Sequence, residues 1–266
     1  MQVRPSRLLR KLRDGHIPTC LKLNLADARV VEIAGLAGAD SVWLCNEHVP
    51  NDWLNIEHMT RAARIYDMDC IVRVSKGSYS EYVKPFEGGA TGIMVPHVTT
   101  VEEARHIVEM TRYQPLGRRP IDGGNIDGKF CMIPTANYIA QCNQEQFLIL
   151  QIESPQALEN VEAIAAVPGF NGLLFGAGDF SHLIGKAGQV GCPETTAARK
   201  RVAAAARKHG KFAMTPGLIA PFEEQAAEGY NVFNLGADVI ALGDYFRGKV
   251  ADFTKLPLPT TGSVYR

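Results

Sequence analysis

The sequence has no surplus of either charge: lysine plus arginine and aspartate plus glutamate stand at 28 each. A chain that grips nucleic acid or an anionic membrane is expected to carry a basic surplus, so the balance points to a small-molecule ligand and to neither of those partners. No apolar run approaches the roughly 18 residues that a membrane span requires. The opening stretch, Met1 to Arg13, holds Arg4, Arg7, Arg10, Lys11 and Arg13 but no apolar core of the kind a secretion signal has. Six cysteines (Cys20, Cys45, Cys70, Cys131, Cys142 and Cys192) include no CxxC pair, and several sit in apolar runs. Reduced, mostly buried thiols and a cytoplasmic location are the expectation, and structural zinc is disfavoured. Also missing are a GxGxxG turn after the first strand-like run and a phosphate loop, which counts against an open dinucleotide-binding sheet.

What is present is regular alternation. Short apolar runs at Thr19 to Asn24, Ser41 to Cys45, Ile71 to Val74, Gly92 to Pro96, Phe147 to Glu153, Gly172 to Gly176, Phe212 to Thr215 and Tyr230 to Leu235 read as strands. Between them, segments such as Ala28 to Leu36, Ile56 to Tyr66, Val101 to Thr111, Ala157 to Ala166, Thr196 to His209 and Pro221 to Ala227 have helical period. Eight strands with intervening helices predict an α/β protein, a (β/α)8 TIM barrel forming one domain over residues 1–266. Gln114 to Ile133, rich in Pro, Gly and Arg, breaks the rhythm and reads as a long loop, functional or a plain surface excursion.

In such barrels the active site gathers at the C-terminal ends of the strands. Gln151 and Glu153 share a parity in LILQIES, so both should point into the mouth while Leu150 and Ile152 face helices. An inward carboxylate needs a cation or a metal beside it, because desolvation penalises it by several kcal/mol. Asp179 stands in a glycine-rich turn one strand later, and a pair of oxygen ligands suits Mg²⁺ or Mn²⁺ better than zinc. Salt bridges or helix caps are the competing explanation for both acids. Arg73, at the end of CIVRVS, suits a carboxylate or enolate oxygen, or simply neutralises Glu153. His48, in CNEHVPND with Glu47 and Asp52, has the side chain best matched to proton transfer near neutral pH. Lys22 shares the parity of Cys20 and Asn24 and could face the interior as a Schiff-base lysine.

From about Leu21 to Phe246 the chain resembles the metal-dependent class II pyruvate aldolases of the 4-hydroxy-2-oxoheptanedioate aldolase (HpcH/HpaI) type, within the citrate lyase beta-like superfamily. The marks are Glu47-His48 followed by Pro50, Val72-Arg73, Val95-Pro96, TRYQPLGRR at Thr111 to Arg119, Gln151 to Glu153, and Gly178 followed by Asp179 to Ser181. The resemblance implies Glu153 and Asp179 as metal ligands, with Mg or Mn ahead of Co or Zn. It implies Arg73 as the enolate-stabilising arginine, His48 as acid/base and Glu87 as the acid that orients it. Gln151, Gly178, Cys45 and Arg119 are then expected to contact substrate, a 2-oxo acid with its aldehyde. A homo-oligomer is implied too, a hexamer built as a trimer of dimers with exchanged C-terminal helices, and the apolar helix expected at Val239 to Phe246 is consistent with that.

Three features depart from the pattern. Cys45 stands where the family has an aspartate, Asn46 where it has a glycine, and Pro120 follows Arg119 where a glycine is usual. Arg118 and Arg119 leave room for a substrate with a second carboxylate, and His97 and His182 are extra histidines within reach of the mouth. Oxaloacetate decarboxylation, lysis of another 2-oxo acid or acyl-thioester, and an inactive 2-oxo acid binder are the alternatives to an aldolase.

Overall fold

The computed structural model describes residues 1–254; the predicted domain runs on to 266, and its last residues lie outside those described. The strands are β1 (Thr19–Leu23), β2 (Ser41–Cys45), β3 (Asp69–Arg73), β4 (Gly92–Val95), β5 (Phe147–Ile152), β6 (Gly172–Phe175), β7 (Phe212–Met214) and β8 (Phe233–Ala237). The helices are α1 (Arg7–Arg13), α2 (Ala28–Leu36), α3 (Trp53–Ile65), α4 (Tyr79–Glu87), α5 (Val101–Thr111), α6 (Thr135–Glu145), α7 (Pro155–Glu159), α8 (Val161–Ala165), α9 (Ala177–Leu183), α10 (Pro193–Lys208), α11 (Phe222–Glu228) and α12 (Asp238–Thr254). All the strand pairs are parallel, in the order β7-β6-β5-β4-β3-β2-β1-β8, and a bridge from Met214 to Val232 draws the two ends together into a nearly closed barrel. No helix among the described residues is long and apolar enough to cross a membrane.

Side-chain alternation along the strands divides the core in two. Leu44, Val72, Ile93, Leu150, Ile152 and Leu173 face the helices in one cluster, whereas Cys20, Trp43, Ile71, Met94, Ile149, Leu174 and Met214 fill the interior. Leu8 and Leu9 of α1 join the interior cluster and stopper the barrel floor. The basic opening stretch thus has a structural use: Arg4 pairs with Asp67 and Asp69, Arg7 and Lys11 with Asp40, Arg10 with Asp67, and Arg13 with Glu145. With the floor sealed, the mouth at the strands' C-terminal ends is left for chemistry.

The predicted helix from Ala157 to Ala166 is two short helices that meet at Asn160, whose side-chain amide donates to the Thr99 carbonyl. The last strand starts at Phe233 instead of Tyr230, because Tyr230 is buried against α10 with its hydroxyl donating to the Arg199 carbonyl.

Candidate active site

Glu153 follows β5 directly and is buried, with Gln151 beneath it on the same side of the strand. Burial pushes its carboxyl up to about 7; the His97 ring and N–H act the other way, while Asp179 and Glu47 add to the rise. Oε1 accepts the His97 backbone N–H at 2.6 Å and lies 3.0 Å from the ring Nδ1 of His97, and Oε2 accepts the Gln151 amide. The Gln151 Oε1 atom is buried without a partner. Gly176, at the end of the adjoining strand β6, leaves the room this carboxylate occupies: a Cβ there would lie 2.6 Å from Oε2 of Glu153 and 3.0 Å from Nε2 of Gln151.

Asp179 sits in the first turn of α9, just past β6, and is exposed. Its charge is felt at Glu153, so the two acids from adjacent strand ends share one neighbourhood. Gly178 precedes it, half-buried, its carbonyl accepting the Ser181 hydroxyl. Among the described residues no three His, Cys, Asp or Glu side chains form a ready-made metal cage. Two carboxylates and the unpartnered amide oxygen of Gln151 nonetheless make an all-oxygen donor set that fits a hard divalent cation, with other positions left to ligand and water.

Across the mouth, β2 and β3 pair Cys45 with Arg73. The Arg73 guanidinium lies over the Trp43 ring at 4.9 Å, and its Nη2 donates to Cys45 Sγ at 3.0 Å and faces His48 Nδ1 at 2.7 Å. Cys45 is buried and also accepts the His48 backbone N–H at 3.4 Å, so its sulfur bears on the mouth through Arg73 and His48. His48 is exposed, with 60% of its side chain open to solvent. Lys22 rests over the same tryptophan at 5.2 Å; burial and then the Arg73 charge lower its pKa.

Glu47 and His97, named in the sequence without a role, belong to this cluster. Glu47 Oε2 is 2.9 Å from Arg73 Nε and 3.6 Å from His48 Nδ1, and its Oε1 is 3.2 Å from His97 Nε2. The signal that could have found His97 is its place directly after Val95-Pro96, at a strand end. Asp52 instead caps α3, accepting the Asn55 N–H, and His182 is exposed in the last turn of α9.

Two expectations need correction. Glu87 ends α4 and lines a groove on the outer wall beside Trp53, Glu57 and Asn125, so within one chain it does not orient His48, which is held by Arg73, Glu47 and Cys45. Arg119 is buried away from the mouth, donating to Gln146 Oε1 at 2.7 Å and Asp127 Oδ2 at 3.0 Å and stacking on Tyr113. Arg118 pairs with Glu109 on the surface. The loop that breaks the rhythm is therefore anchored by an internal ion pair on the outside of the barrel, and neither arginine is available to a second carboxylate in the mouth.

Known proteins share this arrangement of elements. The profile of the family described as HpcH/HpaI aldolase/citrate lyase matches residues 19–243. A 2-keto-3-deoxy-L-rhamnonate aldolase of Salmonella gallinarum is 30% identical over 254 residues, covering 94% of each chain. The crystal structure of an HpcH/HpaI aldolase from Desulfitobacterium hafniense DCB-2 superposes with a TM-score of 0.87 at 28% identity, over 94% of this chain and 97% of that one. The citrate synthase SbnG superposes with a TM-score of 0.85 at 26% identity, over 93% and 97%.

Proposed function

The chain belongs to the HpcH/HpaI aldolase/citrate lyase family, a family of carbon–carbon lyases, and on that premise we propose that it cleaves or forms the bond between a pyruvate enolate and an aldehyde. The observation that carries the reading is the placing of Glu153 directly after β5 and Asp179 just past the neighbouring β6, with Arg73 and His48 joined to Glu153 across the mouth through Glu47 and His97. Glu153 and Asp179, with Gln151 beside them, would hold the metal. A divalent cation there, Mg²⁺ or Mn²⁺ ahead of Co²⁺ or Zn²⁺, supplies Lewis-acid polarisation of the 2-oxo oxygen.

The chain's own groups supply the rest. In the cleavage direction His48 takes the proton from the 4-hydroxyl, the C3–C4 electron pair moves into the enolate, and the aldehyde departs. Arg73, fixed by Glu47, Cys45 and Trp43, donates to the enolate oxygen and offsets its charge. The 30% identical relative is named for a 2-keto-3-deoxy acid, which falls in this substrate class.

Exchange of pyruvate methyl protons in D₂O, followed by NMR with Mg²⁺ or Mn²⁺ and with EDTA as control, tests the reading without requiring the aldehyde. Metal-dependent exchange supports it, and absence of exchange with either ion sinks it. The lowered pKa of Lys22 favours a second reading, a Schiff-base lyase. Exchange that persists in EDTA, with inactivation by borohydride plus pyruvate, would establish that instead.

The same proposal includes a homo-oligomer with exchanged C-terminal helices, in the family's case a hexamer. In support, α12 buries none of its own side chains and leaves Val239, Leu242, Tyr245, Phe246, Val250 and Phe253 exposed. Beside it, a groove of about 520 Å³ is lined by Leu23, Val30, Ile33, Leu235 and Ile240. Light scattering should give a multiple of the 29.0 kDa chain mass. The six free cysteines support a reducing, cytoplasmic setting.

A further inference from the structure

His97 follows β4 and Pro96 with a φ of 55°, in the left-handed region that a bulky side chain seldom occupies. In this conformation its backbone N–H and its ring Nδ1 both meet Oε1 of Glu153, at 2.6 and 3.0 Å. The other ring nitrogen, Nε2, is 3.2 Å from Oε1 of Glu47, and the second oxygen of Glu47 reaches Arg73 Nε at 2.9 Å. A continuous row, Arg73 to Glu47 to His97 to Glu153, therefore crosses the mouth from the end of β3 to the end of β5. With 53% of its side chain exposed, burial does not hold the ring there; its contacts to Glu153 and Glu47 do.

We infer that His97 is a positioning residue for the metal centre: its ring sets the Glu153 carboxylate and, through Glu47, ties that carboxylate to the arginine opposite. The inference rests on Glu153 being a metal ligand, as proposed above. Groups that orient a metal's ligands typically contribute 10–100-fold in metal affinity when removed, and the imidazole–carboxylate pair is a common form of such support. The Glu47–His97 pair differs from the usual case in that the imidazole steers a carboxylate ligand instead of being one.

The test is titration of the whole protein with Mn²⁺, following free Mn²⁺ by electron paramagnetic resonance, with melting temperature as the fold control. His97→Gly keeps the left-handed backbone and the N–H but removes the ring, and should weaken Mn²⁺ binding about 10–100-fold at an unchanged melting temperature. His97→Asn tolerates the same backbone conformation and places an amide where Nδ1 stands, so it should recover most of the affinity. Mn²⁺ binding by His97→Gly as tight as wild type, or tighter, would overturn the inference while leaving the metal site intact, provided Glu153→Gln abolishes binding. Wild-type protein that binds no Mn²⁺ would instead remove the metal reading, and this inference with it.

Discussion

Arg73 and Glu47 form an ion pair at the barrel mouth, 2.9 Å from Nε to Oε2, with 5% and 12% of their side chains exposed. The geometry falls short of a hydrogen bond, and neither atom makes a hydrogen bond elsewhere among the described residues, though Oε2 also lies 3.6 Å from His48 Nδ1. The contact is thus Coulombic in a desolvated place, where charges act more strongly than in water. It orients the guanidinium so that Nη2 meets Cys45 and His48. Cys45 stands where the resemblance led to an aspartate, and the carboxylate beside Arg73 and His48 is that of Glu47.

Arg73→Lys should follow from this. A lysine ammonium lacks the planar fork that reaches Glu47, Cys45 and His48 together. The expected result is a fall in kcat of about 10²–10³-fold, the size typical of losing one oxyanion donor, with the melting temperature little changed. Steady-state kinetics beside a thermal melt checks it. Wild-type kcat would show that Arg73 has no part in the reaction.

Glu153→Gln should abolish pyruvate proton exchange and Mn²⁺ binding, yet leave the metal-free protein as stable as wild type or more so. Burial works against the charged form of Glu153, and the amide removes that penalty. Asp179→Asn should abolish exchange equally. Calorimetry with and without Mn²⁺ reads both effects, and a stabilising response of Glu153→Gln to Mn²⁺ would refute the ligand assignment.

Gly176→Ala is a test by volume. Gly176 has a φ of −82°, so its backbone accepts alanine without strain. The added Cβ would nevertheless lie 2.6 Å from Cβ and Oε2 of Glu153, and one or the other must shift. Overpacking of this kind destabilises by roughly 1–3 kcal/mol, and Mn²⁺ affinity should fall with it. Unaltered affinity in a denaturant-and-EPR comparison would mean that Glu153 does not need this space.

Arg119→Ala should behave in the opposite way to a site mutation. It leaves the buried Asp127 carboxylate without its cation, held only by neutral donors such as Tyr138, and breaking such a pair is worth about 3–5 kcal/mol. Urea unfolding should show that loss, while KM for the 2-oxo acid stays at the wild-type value. A raised KM at undiminished stability would return Arg119 to the substrate-binding role its motif implied.

Strand parity made much of this legible in the residue order. LILQIES places Gln151 and Glu153 on one side and Leu150 and Ile152 on the other, as they stand in the barrel. Six of the eight strand starts coincide with the apolar runs to the residue, from Thr19 of β1 to Phe212 of β7, and only β3 and β8 begin elsewhere. Glu87 and Arg119 were misplaced for a common reason: both follow the end of a strand or helix by many residues, where matching a motif says nothing of which wall of the barrel a side chain meets.

The amino-acid order by itself determined the alternating elements, the inward acid at 153 and the acid one strand later, because a strand's side chains obey a two-residue period that needs no tertiary information. Only the folded chain decided that Glu47 sits between Arg73 and His97, that His97 turns left-handed onto Glu153, and that the basic start seals the floor. Those residues lie in loops or in a terminal helix, where direction is set by packing and ion pairing with distant strands instead of by local period.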